Sequence, residues 1–260
     1  MRIVQDLIKQ RLDELEAREG VRLLYACESG SRAWGFASQD SDYDVRFIYA
    51  QPVEWYLSVF PGRDVIELPV EGDLDINGWD IRKALELLRK SNPALLEWLD
   101  SPIVYHEQPA MLEPLRRLAA SAYNPLASVH HYLSMASHQK TILVSAGGVV
   151  RRKKYFYLLR ALFAARWSLK HPGQPPMEFA KLLAASDVPP SVIAEISELL
   201  RLKQTSGEFD GGARNALLDE YVEGLRSEIE AALPAPQSPP PLAQFDQALR
   251  ETLKLACGST

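Results

Sequence analysis

Apolar residues at Ile3-Val4, Leu7-Ile8, Leu12 and Leu15 recur at helical spacing among many charges, predicting an amphipathic helix over residues 3–19. The pattern then changes. Val21 to Cys27 is a near-continuous apolar run of strand length, and Asp44 to Tyr49 is a second β-like run. Asp64-Val65-Ile66-Glu67-Leu68 and Leu74 to Trp79 predict two further strands, separated by the turn chemistry of Pro69 to Asp73. Asp80 is placed to cap a helix running to about Arg89, and Asn92-Pro93 opens another through Trp98. From Pro109 onward the periodicity is helical, with segments at 110–121, 125–145, 151–170, 177–185, 190–204 and 212–231. Gly147-Gly148, Gly173 through Pro176, Pro189-Pro190 and Gly211-Gly212 punctuate them. Pro234 to Pro241 reads as a stiff linker, leading to an amphipathic helix, Leu242 to Leu255, that docks back or swaps onto a partner. The fold class is α+β: a small mixed sheet with helices over residues 1–108, an all-α domain over 109–232, and the linker with its helix over 233–260.

Composition narrows the class without choosing an activity. The chain has 260 residues, 47% apolar and 24% charged, as in soluble globular proteins. Acids and bases are scattered through the first twenty residues, so no signal peptide is expected there, and no apolar run reaches bilayer length. Two cysteines make neither a disulfide framework nor a zinc cluster, and a reducing cytoplasm is the expected location. The net charge of −5 is unevenly spread. Between Glu113 and Glu178 there is no acid, while Arg116, Arg117, Lys140, Arg151, Arg152, Lys153, Lys154, Arg160, Arg166 and Lys170 all fall there. Such a window suits a phosphate- or nucleic-acid-facing surface; the alternative is that it complements the acidic segments.

The candidate chemistry lies between the first two strands. Gly30-Ser31 is followed, after ten residues, by Asp42-Tyr43-Asp44. Residues at i and i+2 of a strand share a face, so Asp42 and Asp44 can converge on one hard cation, while Tyr43, Val45, Phe47 and Tyr49 take the apolar face. Alone, Ser-Gln-Asp-Ser-Asp fits turn and cap chemistry equally well. The Gly-Ser turn upstream, the β-like run downstream and a third carboxylate favour the cation. That third acid is Asp75, on the strand Leu74 to Trp79; Asp73 is better explained as a turn residue and Asp80 as a helix N-cap.

Gly30-Ser31, ten residues, Asp42-Tyr43-Asp44 and a later strand aspartate resemble the polymerase-β-type nucleotidyltransferase superfamily. The continuation from Asp75-Ile76-Asn77-Gly78-Trp79-Asp80 through Ser91-Asn92-Pro93-Ala94-Leu95-Leu96-Glu97-Trp98-Leu99 resembles the branch associated with RNA ligases and RNA repair. The similarity covers most of residues 20–185. It implies an enzyme that moves a nucleoside monophosphate from an NTP such as ATP to a hydroxyl, chiefly on RNA, releasing pyrophosphate. An RNA ligase is the partner the resemblance implies, and no membrane is involved. Gly30 and Ser31 would hold the β/γ-phosphates. Asp42 and Asp44 would bind two magnesium ions, with manganese as a substitute, and Asp75 would bind the catalytic ion and help deprotonate the attacking hydroxyl. The implied fold is a small mixed sheet with helices on one side and a helical domain closing the cleft.

Further residues are assigned around that core. Lys153, Tyr157 and Arg160 fall on one helical stripe, suited to gripping a triphosphate while Tyr157 stacks on a base; a solvated basic face is the alternative. Arg32 contacts phosphate or pairs with Glu28. Arg82 and Lys83 lie near the site or form surface ion pairs. Trp34 and Phe36 fit loop packing better than base stacking. His130, His131 and His138 lack the spacing of a zinc site. Two other readings stay open: transfer to a protein or small-molecule hydroxyl, and an inert nucleotide- or RNA-binding module.

Overall fold

A computed structural model describes residues 2–38, 40–144, 150–205 and 211–258; the predicted break at Gly147-Gly148 lies outside them. The chain forms two compact units. The first comprises Met1–Ala33, Asp42–Tyr123 and Ser238–Thr260, the second Trp34–Ser41 and Asn124–Gln237.

The first unit opens with α1 (Arg2–Glu19), followed by β1 (Arg22–Ser29), the single turn α2 (Gly30–Ala33) and β2 (Tyr43–Ala50). After α3 (Val53–Tyr56) come β3 (Val65–Glu67), β4 (Leu74–Asp80), α4 (Ile81–Arg89), α5 (Pro93–Leu99), β5 (Val104–Glu107) and α6 (Pro109–Ala122). The strands form one mixed sheet in the order β3-β4-β2-β1-β5, in which β2 and β4 are parallel and the other pairs antiparallel. The α+β class expected from the pattern is the one observed. β5, only four residues long and directly followed by a helix, was not anticipated.

Alternation along the strands separates two cores. Ile8, Leu12 and Leu15 of α1 cover one face, meeting Val45, Phe47, Tyr49 and Ile76. The other face carries Leu24, Cys27, Ile48 and Ala50, under Ile81, Leu85 and Leu88 of α4, Leu95 and Trp98 of α5, and Leu112 and Leu115 of α6. Helices therefore pack on both sides of the sheet, because both faces are apolar; the one-sided cover implied by the resemblance is corrected. The two cap predictions hold. Asp80 accepts from the Arg82 amide at the start of α4, and Asn92 accepts from the Leu95 amide at the start of α5, each worth about 1 kcal/mol.

Two boundaries differ from the sequence division. α6 belongs to the first unit rather than to a domain starting at residue 109, since Leu112, Leu115 and Leu118 complete the sheet's core. The last helix, α12 (Leu242–Ala256), returns to that same core with Phe245, Ala248 and Leu253. Arg117 binds Glu251 at 2.6 Å across that contact.

The second unit contains α7 (Pro125–Thr141), β6 (Val150–Arg151), α8 (Lys153–Lys170), α9 (Phe179–Ala185), α10 (Pro190–Thr205), β7 (Gly211–Gly212) and α11 (Ala216–Ala231). The middle of α8, Leu158 to Ala165, is buried throughout, the mark of a central helix. Tyr155, Phe156, Leu159, Leu162, Phe163 and Ala164 are each at most 1% exposed. Phe36, from the short segment 34–41, joins this core, stacking on Phe156 at 5.5 Å and meeting Phe179 edge-on. The unit is not purely helical: Gly211 and Gly212 pair with Arg151 and Val150, so α11 starts at Ala216, capped by Asn215, and not at residue 212.

Candidate active site

β1 delivers the chain to Gly30, which turns with φ of +64°, a conformation glycine adopts without steric cost. The turn lies directly against β2. A Cβ at Gly30 would fall 2.1 Å from Asp44 Oδ2, so a side chain there would displace the carboxylate. Ser31 is buried in the same turn. Arg32 donates from Nε to the Asp42 carbonyl at 3.0 Å and lays its guanidinium over the Tyr43 ring at 3.7 Å. It fastens the turn to the start of β2.

The parallel register of β2 and β4 sets Asp44 beside Asp75 and Arg46 beside Asn77. Asp42 precedes the strand and is exposed. Burial raises the Asp44 pKa, the nearby Arg46 guanidinium opposes that, and the Asp75 and Asp42 charges raise it further. Asp42 and Asp75 therefore both lie near enough to act on Asp44. Between two of them lies a cation. Arg46 Nη2 donates to Asp44 Oδ1 at 3.1 Å and to Asp75 Oδ2 at 2.8 Å. Among the described residues no group of three His, Cys, Asp or Glu side chains is gathered closely enough to hold a metal as it stands.

Glu28, fully buried at the end of β1, supports this arrangement from beneath. It accepts from the Asp44 amide at 2.8 Å and from the Tyr105 hydroxyl of β5, and burial raises its pKa. Ser101 adds a hydrogen bond to the Glu28 carbonyl at 2.6 Å. Neither Arg46 nor this use of Glu28 was read from sequence. The signal for Arg46 was present: Asp42-x-Asp44-x-Arg46 continues the same alternation, which puts the arginine on the acids' face.

The competing acids are accounted for as expected. Asp73 sits in the turn before β4, its carbonyl accepting the Tyr43 amide at 2.6 Å. Asp80, fully buried, caps α4 and accepts from the Tyr56 hydroxyl at 2.7 Å. Arg82 packs over the Trp55 and Tyr56 rings, and Lys83 pairs with Asp64 at 3.1 Å, the surface-pairing alternative.

Within the helical stripe, Arg160 does not face solvent. Arg160 is 2% exposed; its Nε and Nη2 donate to the Met177 carbonyl at 3.3 Å, and its guanidinium stacks on Trp34 at 4.2 Å. It is a packing residue of the second unit, because the middle of α8, Leu158 to Ala165, is buried throughout. Tyr157 is half-buried and meets Trp34 and Phe36 edge-on, with Lys154 over its ring at 4.9 Å. The Lys153 side chain lies outside the described ones. Much of the basic window is internally paired: Arg116 with Glu107, Lys140 with Glu223, and Arg166 and Lys170 with Glu228.

The donor set suits a hard divalent cation, since Asp42, Asp44 and Asp75 offer only carboxylate oxygens. Glycine at position 30 leaves open the space that a side chain would take from Asp44 Oδ2. Residues 4–251 match the family described as the RNA repair pathway DNA polymerase beta family. The chain is 48% identical over 232 residues to the uncharacterized protein YcgL of Bacillus subtilis (strain 168), covering 88% of each. A solved structure of a nucleotidyltransferase-like protein from Exiguobacterium sibiricum 255-15 aligns with 96% of this chain and 78% of its own. Its identity is 10% and the TM-score 0.30. No helix among the described residues is long and apolar enough to cross a membrane.

Proposed function

The chain belongs to the RNA repair pathway DNA polymerase beta family, and from that premise we propose that it is a metal-dependent nucleotidyltransferase that joins a nucleoside monophosphate to an RNA hydroxyl. The carrying observation is the in-register pair Asp44 and Asp75 on parallel strands, set against the Gly30–Ser31 turn. In this reading Asp42, Asp44 and Asp75 hold magnesium. When bound, the ion neutralises charge on the transferring phosphoryl group and activates the attacking hydroxyl.

The protein's own groups then supply position. Amides of the Gly30–Ser31 turn receive the triphosphate oxygens, and oriented backbone N–H groups of this kind bind anions well. Asp75 accepts the proton of the attacking hydroxyl. Glu28 and Tyr105 fix the Asp44 backbone, so the carboxylate does not need to be ordered at the moment of reaction. Arg160 is left out of phosphate binding because it is buried and committed to Met177.

Purified protein with magnesium and each labelled NTP is expected to label an RNA 3′ end and release pyrophosphate. Asp42→Ala combined with Asp44→Ala should abolish labelling; retention of activity would show the site to be misassigned. The internal pairing of the basic window favours one rival acceptor, a protein or small-molecule hydroxyl. Label appearing on protein and never on RNA would select it.

A further inference from the structure

Two carboxylates directly opposite on neighbouring strands repel each other and destabilise the sheet unless something lies between them. In this sheet the intervening group is Arg46. Its Nη1 donates to the Val45 carbonyl at 3.0 Å and the Asp75 carbonyl at 3.1 Å, fixing the plane of the guanidinium. Its Nη2 then reaches one oxygen of Asp44 and one of Asp75. The side chain is only 16% exposed, so this is a fork seated in the sheet and not a surface arginine. A guanidinium offers rigid, divergent donors suited to serving several acceptors at once. Its Nη2 bridges the same two carboxylates that the proposed chemistry assigns to a metal.

We propose that Arg46 is a positioning residue that acts as a built-in counter-cation: it holds Asp44 and Asp75 at working separation and competes with divalent metal for them until nucleotide arrives. The inference rests on the reading that Asp44 and Asp75 are metal ligands. Three carboxylates and one guanidinium leave a formal site charge of about −2, whereas the acids alone would carry about −3. The extra phosphate oxygens of an NTP add the negative charge that favours metal over the arginine. Free protein therefore binds metal weakly, and nucleotide makes it bind tightly.

Manganese binding to the nucleotide-free protein, followed by the electron paramagnetic resonance signal of free Mn2+, tests this without any turnover. Arg46→Gln, checked for folding by circular dichroism, is expected to bind Mn2+ roughly tenfold more tightly than wild type, the effect of removing one close unit charge from a partly buried site. Adding Asp75→Asn to that variant should cancel the gain. If wild type binds and loses binding on Asp44→Asn, but Arg46→Gln binds equally or more weakly, Arg46 is purely structural and the inference fails while the metal site stands. If neither wild type nor Arg46→Gln binds Mn2+, with or without NTP, the metal reading fails and takes the inference with it. Should Arg46→Gln not fold, Arg46→Lys decides. Lysine keeps the charge but not the fork, so an affinity within about threefold of wild type supports charge competition. A larger change overturns it.

Discussion

Gly30 and Asp44 constrain each other, and the turn and the strand can be separated by substitution. Alanine at position 30 must adopt φ near +64° and place its Cβ 2.1 Å from Asp44 Oδ2. The backbone cost alone is about 1–2 kcal/mol. The clash moves a carboxylate that Arg46 holds in place, on a backbone that Glu28 anchors, and a displacement near 1 Å at such a group costs about a hundredfold in rate. Gly35 is the control, with φ of +84° and open space around its Cβ position. Gly30→Ala and Gly35→Ala should lose similar stability in urea denaturation, but only Gly30→Ala should lose nucleotidyl transfer by about two orders of magnitude. At this scale the sequence was legible in choosing Asp75 on a neighbouring strand, which the register sets beside Asp44, whereas Asp42 precedes β2 and does not share its alternation. Arg160 was not legible. A three- and four-residue stripe identifies one side of a helix, but not whether that side meets water. Leu158, Leu159, Ala161 and Leu162 around it were the indication of an enclosed helix.

Among the elements, the junction of β4 and α4 carries a titration that alters stability. Asp80 is fully buried, and burial lifts its pKa to about 6, against hydrogen bonds from Tyr56 and the Arg82 amide that lower it. A carboxyl whose pKa is raised by folding binds its proton more tightly in the folded state. Its stabilising contribution is therefore greatest at acid pH and is lost as pH rises through about 6. Asparagine caps a helix as well as aspartate does, and it has no charge to bury. Relative to wild type, Asp80→Asn should thus gain about 2 kcal/mol between pH 4.5 and pH 7.5, read from urea unfolding at both pH values. A difference independent of pH would mean that Asp80 ionises as freely in the fold as in the open chain. The cap itself was legible, because Asp followed by an apolar periodic run is a helix start. Its burial was not, since Tyr56 reaches it from 24 residues away.

For the molecule as a whole, sequence order misled about grouping. α6 ends at Ala122 and α12 begins only at Leu242, yet they share one core. A linear reading divides the chain where composition changes; packing divides it where apolar faces find cover. Charge behaves in the same way. The acid-free window looked like a basic surface, but Glu223 and Glu228 of α11 come from far along the chain to pair with Lys140, Arg166 and Lys170. Arg151-Arg152-Lys153-Lys154 is a run of four consecutive cations in sequence, across the end of β6 and the start of α8, and is the element best suited to an RNA backbone. Single-stranded RNA affinity falls with salt with a log–log slope of about −0.7 per phosphate neutralised. If Arg151 and Arg152 each neutralise one phosphate, replacing both by alanine should make the slope shallower by about 1.4 and weaken binding evenly across sequences. Lys140→Ala, which removes a cation already matched by Glu223, should leave the slope unchanged. Fluorescence anisotropy of a labelled RNA over a salt series measures both. An unaltered slope in the double variant would remove this run from the RNA path, and with it the main electrostatic argument for an RNA acceptor over a protein one.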